Sequence, residues 1–218
     1  MIALIGEIKG VMKKSSDWEI VAVDDSSTDK TSETLDLLKR KMPQLRLIKR
    51  SYHQGKWSAL REGIKESRGE IIITLDSDLQ DDPKEAVKLL KKIESGYDLV
   101  SGWRKRRNDP FYKVVISQIG NWLVSILTNK KFRDLNSPMK VYRKEVIRAL
   151  PQEGSLFRFS LLFAYKMGFK TIEIPILHRR RMYGKSKFGV KKYIRIIYDL
   201  VLILLLFSGS GRLKRIKS

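Results

Sequence analysis

The feature that most constrains this chain is its alternation of short apolar runs with helix-like stretches, joined by short links. Trp18-Glu19-Ile20-Val21-Ala22-Val23 reads as a buried strand that ends at Asp24-Asp25. Lys30 to Met42 reads as a helix, closed by Pro43, and Leu45 to Ile48 as a second strand. His53-Gln54-Gly55-Lys56 is a loop before a helix over Trp57 to Ser67. Glu70 to Leu75 is Ile-rich and uninterrupted, the pattern of a central parallel strand, and it ends at Asp76-Ser77-Asp78. Pro83 suits the first turn of a helix reaching Ser95, and Tyr97 to Ser101 is a fourth strand. This order predicts an α/β domain with a mostly parallel central sheet and flanking helices. Both acidic clusters lie just past carboxyl ends of strands, the edge at which open α/β sheets bind ligands.

The later chain is less regular. Arg104 to Arg107 is a basic run, Phe111 to Thr128 reads as a helix and Asn129 to Ser137 as a loop. Leu156 to Met167 reads as a further helix. Thr171 to Ile176 reads as a strand whose Pro175 needs an edge or a bend. Residues 2–14 carry apolar positions at helical spacing. Met1 to Gly6 is too short, with Glu7 and Lys9 beyond it, to read as a signal peptide.

Charge and composition bound the partners. Lys and Arg total 45 against 24 Asp and Glu, a formal charge of +21, which calls for an anionic partner such as nucleic acid, a membrane surface or a phosphorylated substrate. No nucleic-acid motif or interleaved aromatic platform is present, so specific nucleic-acid binding is not expected. The absence of cysteine excludes disulfides, thiolate metal sites and a cysteine nucleophile. At 42% hydrophobic residues the chain can bury a core.

The last apolar stretch, from Ile194 to Phe207, gives about 21 Å of helix against the roughly 30 Å of a bilayer core. Arg195 and Asp199 interrupt it and Lys191, Lys192, Arg212, Lys214, Arg215 and Lys217 flank it. Residues 190–218 therefore read as an interfacial helix with a basic tail, following a domain over 1–189. Core packing and a homo-oligomer contact are the alternatives for this segment.

Several residues carry candidate chemistry. Asp76 and Asp78, with Gln80 as a third oxygen donor, suit Mg²⁺ or Mn²⁺ bridging phosphate oxygens, although an Asp-x-Asp also commonly caps a helix. Asp24-Asp25 could accept hydrogen bonds from a base or ribose; capping by Asp25 or Ser26 is the competing reading. Gly55 and Lys56 could bring backbone and a cation to a nucleotide, or form a solvated turn. Arg104 to Arg107 and Arg179-Arg180-Arg181 with Lys185 and Lys187 are phosphate-binding candidates or a solvated charged face.

Taken together, the motifs resemble one family. The elements Asp24-Asp25-Ser26-Ser27-Thr28-Asp29, His53-Gln54-Gly55-Lys56 and Leu75-Asp76-Ser77-Asp78-Leu79-Gln80-Asp81-Asp82-Pro83 resemble family 2 glycosyltransferases of the GT-A fold. Asp134-Leu135-Asn136-Ser137, Lys140-Val141-Tyr142-Arg143 and the stretch from His178 to Gly189 resemble its polyprenyl-phosphate (dolichyl-phosphate) hexosyltransferase branch. The resemblance implies a metal-dependent, inverting transfer of a hexose from a GDP- or UDP-sugar to a polyprenyl phosphate, on the cytoplasmic face of a membrane. It implies metal binding by Asp76, Asp78 and Gln80. It implies donor contacts from Val23, Asp25, Gly55, Lys56, Asp76, Ser77, Asp78 and Lys187. Acceptor or phosphate contacts would come from Arg104, Lys113, Asn136, Arg158, Arg181 and Lys187, with Asp78, Arg104 and Arg181 acting in catalysis.

Three departures are visible. The family's first strand, roughly Val-x-Pro-x-Tyr-Asn-Glu, has no counterpart, and Met1-Ile2-Ala3-Leu4 resembles the helix after it; a sheet without that strand would carry unpaired edges. Pro138 stands where the family usually has Gly. The C-terminal apolar stretch is short where many relatives continue into transmembrane helices. The alternatives are a non-catalytic relative that binds acidic lipid or a partner, and a family 2 enzyme with another acceptor.

Overall fold

The structure is a computed structural model that describes residues 2–13, 17–105, 111–151 and 154–179. The expected interfacial helix over 190–218, with Arg181 and Lys187, lies outside the described residues. The elements run α1 (Ile2–Met12), β1 (Ile20–Asp24), α2 (Thr31–Lys41), β2 (Leu45–Lys49), α3 (Lys56–Glu66), β3 (Ile71–Thr74), α4 (Pro83–Glu94), β4 (Leu99–Arg104), α5 (Phe111–Thr128), β5 (Lys140–Arg143), α6 (Lys144–Ala149), a 3-10 turn (Gly154–Phe159), α7 (Ser160–Lys166) and β6 (Thr171–Ile176).

The strands form two sheets. β1 and β2 pair in parallel, from Ile20 opposite Leu45 to Asp24 opposite Lys49. The second sheet has the order β3-β5-β4-β6, in which β5 runs against both neighbours and β4 and β6 are parallel. Three of its four strands therefore share a direction. β5 is the strand that sequence reading missed, and the short α6 after it was also unread. Four residues, Lys-Val-Tyr-Arg, are too few and too charged to signal a strand, yet Lys140, Val141 and Tyr142 are all buried. Its insertion corrects the expectation of a central parallel β3. Among the described residues β3 is an edge strand, bonded only to the antiparallel β5. β1 likewise has β2 as its one described partner, so among the described residues the sheet is interrupted between β1 and β3.

The four-stranded sheet is covered on both faces. Alternation along each strand sends Leu99 and Tyr142 into one core with Val146, Leu161 and Leu162. Val100 and Val141 enter the opposite core with Leu89, Ile93 and Met139. A third cluster, Ile5, Ala22, Leu35, Met42 and Leu45, holds α1 and α2 on the smaller sheet. Pro175 occurs on β6, an edge strand among the described residues, as the proline required. Gly102 on β4 admits the next side chain, because a Cβ there would lie 2.6 Å from Ile176 Cδ1. The expected helix over Leu156 to Met167 is divided between the 3-10 turn and α7.

Candidate active site

The two acidic strand ends are built differently. Asp24 is buried and accepts the Ser27 N–H at 3.0 Å, while Asp29 accepts the Thr31 N–H at 2.9 Å ahead of α2. Neither Asp25 nor Ser26 caps that helix, which corrects one of the two readings of the pair. Instead Asp25 reaches across to the next loop. Its carboxylate accepts from Gln54 N at 2.9 Å, from Gly55 N at 2.7 Å and from Arg50 Nη1 at 3.0 Å, and His53 Nδ1 lies 2.9 Å away. Burial alone would raise its pKa, but the Gln54 N–H, the Arg50 guanidinium and the Gly55 N–H outweigh it and hold the group below the ordinary aspartate value. Gly55 has a φ of 88°, which a side chain would disfavour, and it sets the turn that delivers these N–H groups and starts α3. Val23, one residue before Asp24, faces α3 at Gly63, where a Cβ would lie 3.2 Å from its methyl group.

Past β3 the chain turns through Asp76-Ser77-Asp78-Leu79-Gln80-Asp81. Leu79 is buried with a φ of 62°, a conformation that leucine avoids and that marks a strained turn. The turn is pinned by Gln80 N donating to Asp78 Oδ1 at 3.2 Å and by Arg179 N donating to Gln80 O at 2.7 Å. The Arg179 guanidinium also joins Glu7 of α1 at 2.8 Å and Asp82 at 2.5 Å. The first arginine of the expected phosphate-binding run is thus committed to the frame. Asp82 caps α4 by accepting from Lys84 N. Capping therefore falls to Asp82, and Asp76 and Asp78 serve otherwise.

Lys56, at the start of α3, places its ammonium 2.6 Å from the Asp76 carboxylate. Asp81 is 1% exposed and, among the described residues, neither of its carboxylate oxygens has a hydrogen-bond partner. Burial raises its pKa to about 7; Arg104 opposes the rise and the neighbouring Asp76 and Asp78 charges add to it. One turn thus carries the Asp76 and Asp78 carboxylates and the Gln80 amide, and the two carboxylates act on the buried Asp81 carboxyl. Among the described residues no three His, Cys, Asp or Glu side chains make a complete metal cage. The donor set fits a hard divalent cation that shares its coordination with phosphate oxygens, as Mg²⁺ and Mn²⁺ do.

Cations face this turn. Arg104, at the end of β4, forms a bidentate pair with buried Asp134, with Nε to Oδ2 at 2.7 Å and Nη2 to Oδ1 at 2.9 Å, and its Nη2 lies 3.5 Å from Asn136 O. Lys140 is buried and donates to Ser137 O at 2.8 Å and Arg158 O at 3.2 Å. Burial lowers its pKa to about 7, and Asp134 works against that. Arg158 is buried with its guanidinium 5.3 Å from the Trp57 ring centre. A small pocket beside Asp76 runs from Lys56 and Trp57 to Ser137, Pro138 and Lys140. Pro138 O accepts the Thr74 hydroxyl at 2.8 Å. Lys113 falls on α5, with its side chain outside the described residues.

Of the expected site residues, the structure gathers Lys56, Asp76, Asp78, Gln80, Arg104, Asn136 and Arg158 around this edge, while Val23 and Asp25 sit at the end of the neighbouring sheet. Exposed Ser77 stands at the tip of the turn. Asp81, Asp134, Lys140 and Trp57 are additions. Asp81 carried a signal, a third acid in the same turn; the pairing of Arg104 with Asp134 across 30 residues carried none.

Comparison with known proteins agrees with this architecture. Residues 7–163 match the family model Glycosyl transferase family 2. The chain is 34% identical over 188 residues to the undecaprenyl-phosphate 4-deoxy-4-formamido-L-arabinose transferase of Edwardsiella ictaluri, covering 86% of this chain and 58% of that protein. It is 32% identical over 202 residues to the dodecaprenyl-phosphate galacturonate synthase of Rhizobium johnstonii, covering 89% and 59%. The chain thus spans less than two thirds of the length of these relatives. In fold it is similar to glucosyl-3-phosphoglycerate synthase of Mycobacterium tuberculosis, solved with Mn²⁺, uridine diphosphate and phosphoglyceric acid. The TM-score is 0.72 and the identity 17%, over 95% of this chain and 73% of that one. The α/β architecture is that of the GT-A fold, and with more than half its length matched the chain belongs to glycosyl transferase family 2.

Proposed function

We propose that the protein transfers a sugar from a nucleoside diphosphate sugar to the phosphate of a polyprenyl phosphate, with inversion, at a membrane surface. The observation that carries this reading is the meeting of the Asp76–Asp81 turn with Lys56 and Arg104 at the carboxyl edge of the sheet. The names of the relatives supply the acceptor class, a polyprenyl phosphate. A hexose is the expected sugar, although the sugars named for the relatives include a formamido-arabinose and a galacturonate.

The chemistry asks little proton transfer of the protein. The acceptor phosphate is anionic near neutral pH, so no strong general base is needed. Its oxygen attacks the anomeric carbon, the bond from that carbon to the diphosphate oxygen breaks, and the nucleoside diphosphate leaves with the electron pair. The protein must hold two anions in line and balance their charge. Lys56 supplies an ammonium at the donor rim. Arg104, fixed by Asp134, supplies an oriented positive charge that needs no reorganisation. Asp25 holds the Gln54–Gly55 loop that borders the nucleotide side. Asp76, Asp78 and Gln80 would hold Mg²⁺ or Mn²⁺, which would supply positive charge to the leaving diphosphate. Arg181 and Lys187 belong to the basic loop proposed to complete the phosphate site. Residues 190–218 are proposed to rest at the membrane interface on its cytoplasmic face, with self-association as a further role.

A second reading, a non-catalytic relative that binds acidic lipid or a partner, draws on the break between β1 and β3. Calorimetric titration of the chain with GDP and UDP, in Mn²⁺ and then in EDTA, separates the two. Metal-dependent binding of either nucleotide is expected and selects the donor class. A folded protein that binds neither would favour the second reading.

A further inference from the structure

The loop between α5 and β5 carries Asp134, whose two carboxylate oxygens hold the Arg104 guanidinium. Residues 129–139 form no helix or strand of their own, so the course of this loop depends on side chains that reach it from elsewhere. Three successive backbone N–H groups are taken in this way. Glu173 on β6 accepts the Arg133 N–H at 2.9 Å through one carboxylate oxygen and the Asp134 N–H at 2.7 Å through the other. Asn121 on α5 accepts the Leu135 N–H at 3.4 Å and donates to Arg133 O at 2.6 Å. The Glu173 bonds are the stronger pair on the N–H side, being shorter and made to a carboxylate.

The pattern of β6 explains why the carboxylate arrives there. Ile172 and Ile174 pack against the core of Val100 and Val141, so Glu173 between them leaves the opposite face of the strand. The position is unfavourable for an acid. Burial raises the Glu173 pKa and the Asp134 charge adds to the rise, while the Arg133 and Asp134 N–H groups oppose it. What the acid gains there is a bridge across two adjacent peptides, which a neutral side chain of the same size does not offer.

From this geometry we infer that Glu173 is a positioning residue for Arg104: it fixes the Asp134 backbone, and Asp134 sets where the guanidinium stands. Asp134 is 1% exposed, so a shift of its peptide carries the carboxylate with it and leaves no water to take its place. The Arg104 backbone N–H also lies 3.3 Å from Asp134 Oδ2, which ties the end of β4 to the same carboxylate. A displacement of about 1 Å in a group that orients substrate is enough to cost about a hundredfold in rate. The meeting of Arg104 with a substrate phosphate rests on the proposed transfer reaction; its placement by Glu173 does not.

The experiment uses two variants of the full chain. Glu173→Gln keeps the size but turns an NH₂ group on one of the two N–H donors. Glu173→Asp keeps the charge and withdraws both oxygens by one methylene, and it carries the same readings should Glu173→Gln not fold. The Arg104 Nε–H resonance in a ¹H–¹⁵N spectrum, assigned by its loss in Arg104→Lys, reports the placement directly. In both variants this resonance should move and its exchange with water should quicken at least about tenfold. Calorimetric nucleotide affinity in Mn²⁺ should stay unchanged, while kcat/KM for a polyprenyl phosphate falls by about tenfold to a hundredfold. On an Arg104→Lys background the same changes at residue 173 should cost less than about threefold, because the two residues act as one unit. An unaltered Arg104 resonance in either variant overturns the inference. Equal losses on both backgrounds, or nucleotide affinity that falls in step with transfer, make Glu173 a general support of the fold and overturn it too. An Arg104 resonance that depends on Glu173, in a wild-type chain that transfers no sugar, would count against the proposed function and leave the positioning standing.

Discussion

Two acidic turns follow two strands, and the protein treats them in opposite ways. At the end of β1 the Asp25 carboxylate is saturated by two backbone N–H groups and Arg50. At the end of β3, Asp76 meets the half-exposed Lys56, and the buried Asp81 carboxylate has no hydrogen-bond partner among the described residues. A carboxylate satisfied by its own protein organises structure. A buried carboxylate without donors, set beside two others, stores a negative potential that a cation can use. The position of an acid past a strand end therefore does not reveal its task; its donors do.

Four substitutions test this contrast, from the largest expected effect to the smallest. Asp78→Ala should reduce transfer on the order of a thousandfold with the fold intact by circular dichroism, as expected for loss of metal-assisted charge neutralisation. An active variant would remove Asp78 from the metal site. Arg104→Ala leaves Asp134 buried without its guanidinium, so it should cost about 3–5 kcal/mol in urea denaturation as well as activity. A stability loss much below this would mean that Asp134 finds another donor. Asp25→Ala should cost about 1–3 kcal/mol by freeing the Gln54–Gly55 loop. Full stability with lost nucleotide affinity would instead make Asp25 a ligand group and erase the contrast.

The smallest effect concerns pH. Lys140 titrates near 7 when folded and near the ordinary lysine value of 10.5 when unfolded. Between those values the unfolded chain binds more protons at this site, so Lys140 makes stability rise with pH across this window, and the loss on acidification is complete by about pH 7. Lys140→Met should flatten that rise, as read from urea midpoints between about pH 7 and 10. An unchanged slope would show that Lys140 stays charged in the folded protein.

How much of this was legible in the sequence follows the range of the forces involved. Period and punctuation act locally, so the strands over 20–24, 45–49 and 71–74, and the acids at the ends of the first and third, could be read directly. β5 escaped because its signal is tertiary: Lys140 is buried by tethering to the carbonyls of Ser137 and Arg158, and nothing local predicts that. Membership of the turn from Asp76 to Gln80 was legible as a motif, and Lys56 as a neighbouring cation. Arg104 was legible as a charge, but not its capture by Asp134. Asp25 shows the converse. Its position was recognised, while its hydrogen bonds to residues 54 and 55 depend on where the next loop lands.

Arg179 gives the molecule a temporal order. Its guanidinium clasps Glu7, 172 residues earlier, while its N–H holds the Gln80 carbonyl. Contacts of such separation close late because the intervening chain must first be placed. During synthesis the strand-end turn can acquire its final shape only after residue 179 has left the ribosome, although the turn itself was translated about a hundred residues before. The nascent chain is thus a scaffold before it is a site, and the acids at its edge are brought under control by the residues that follow β6.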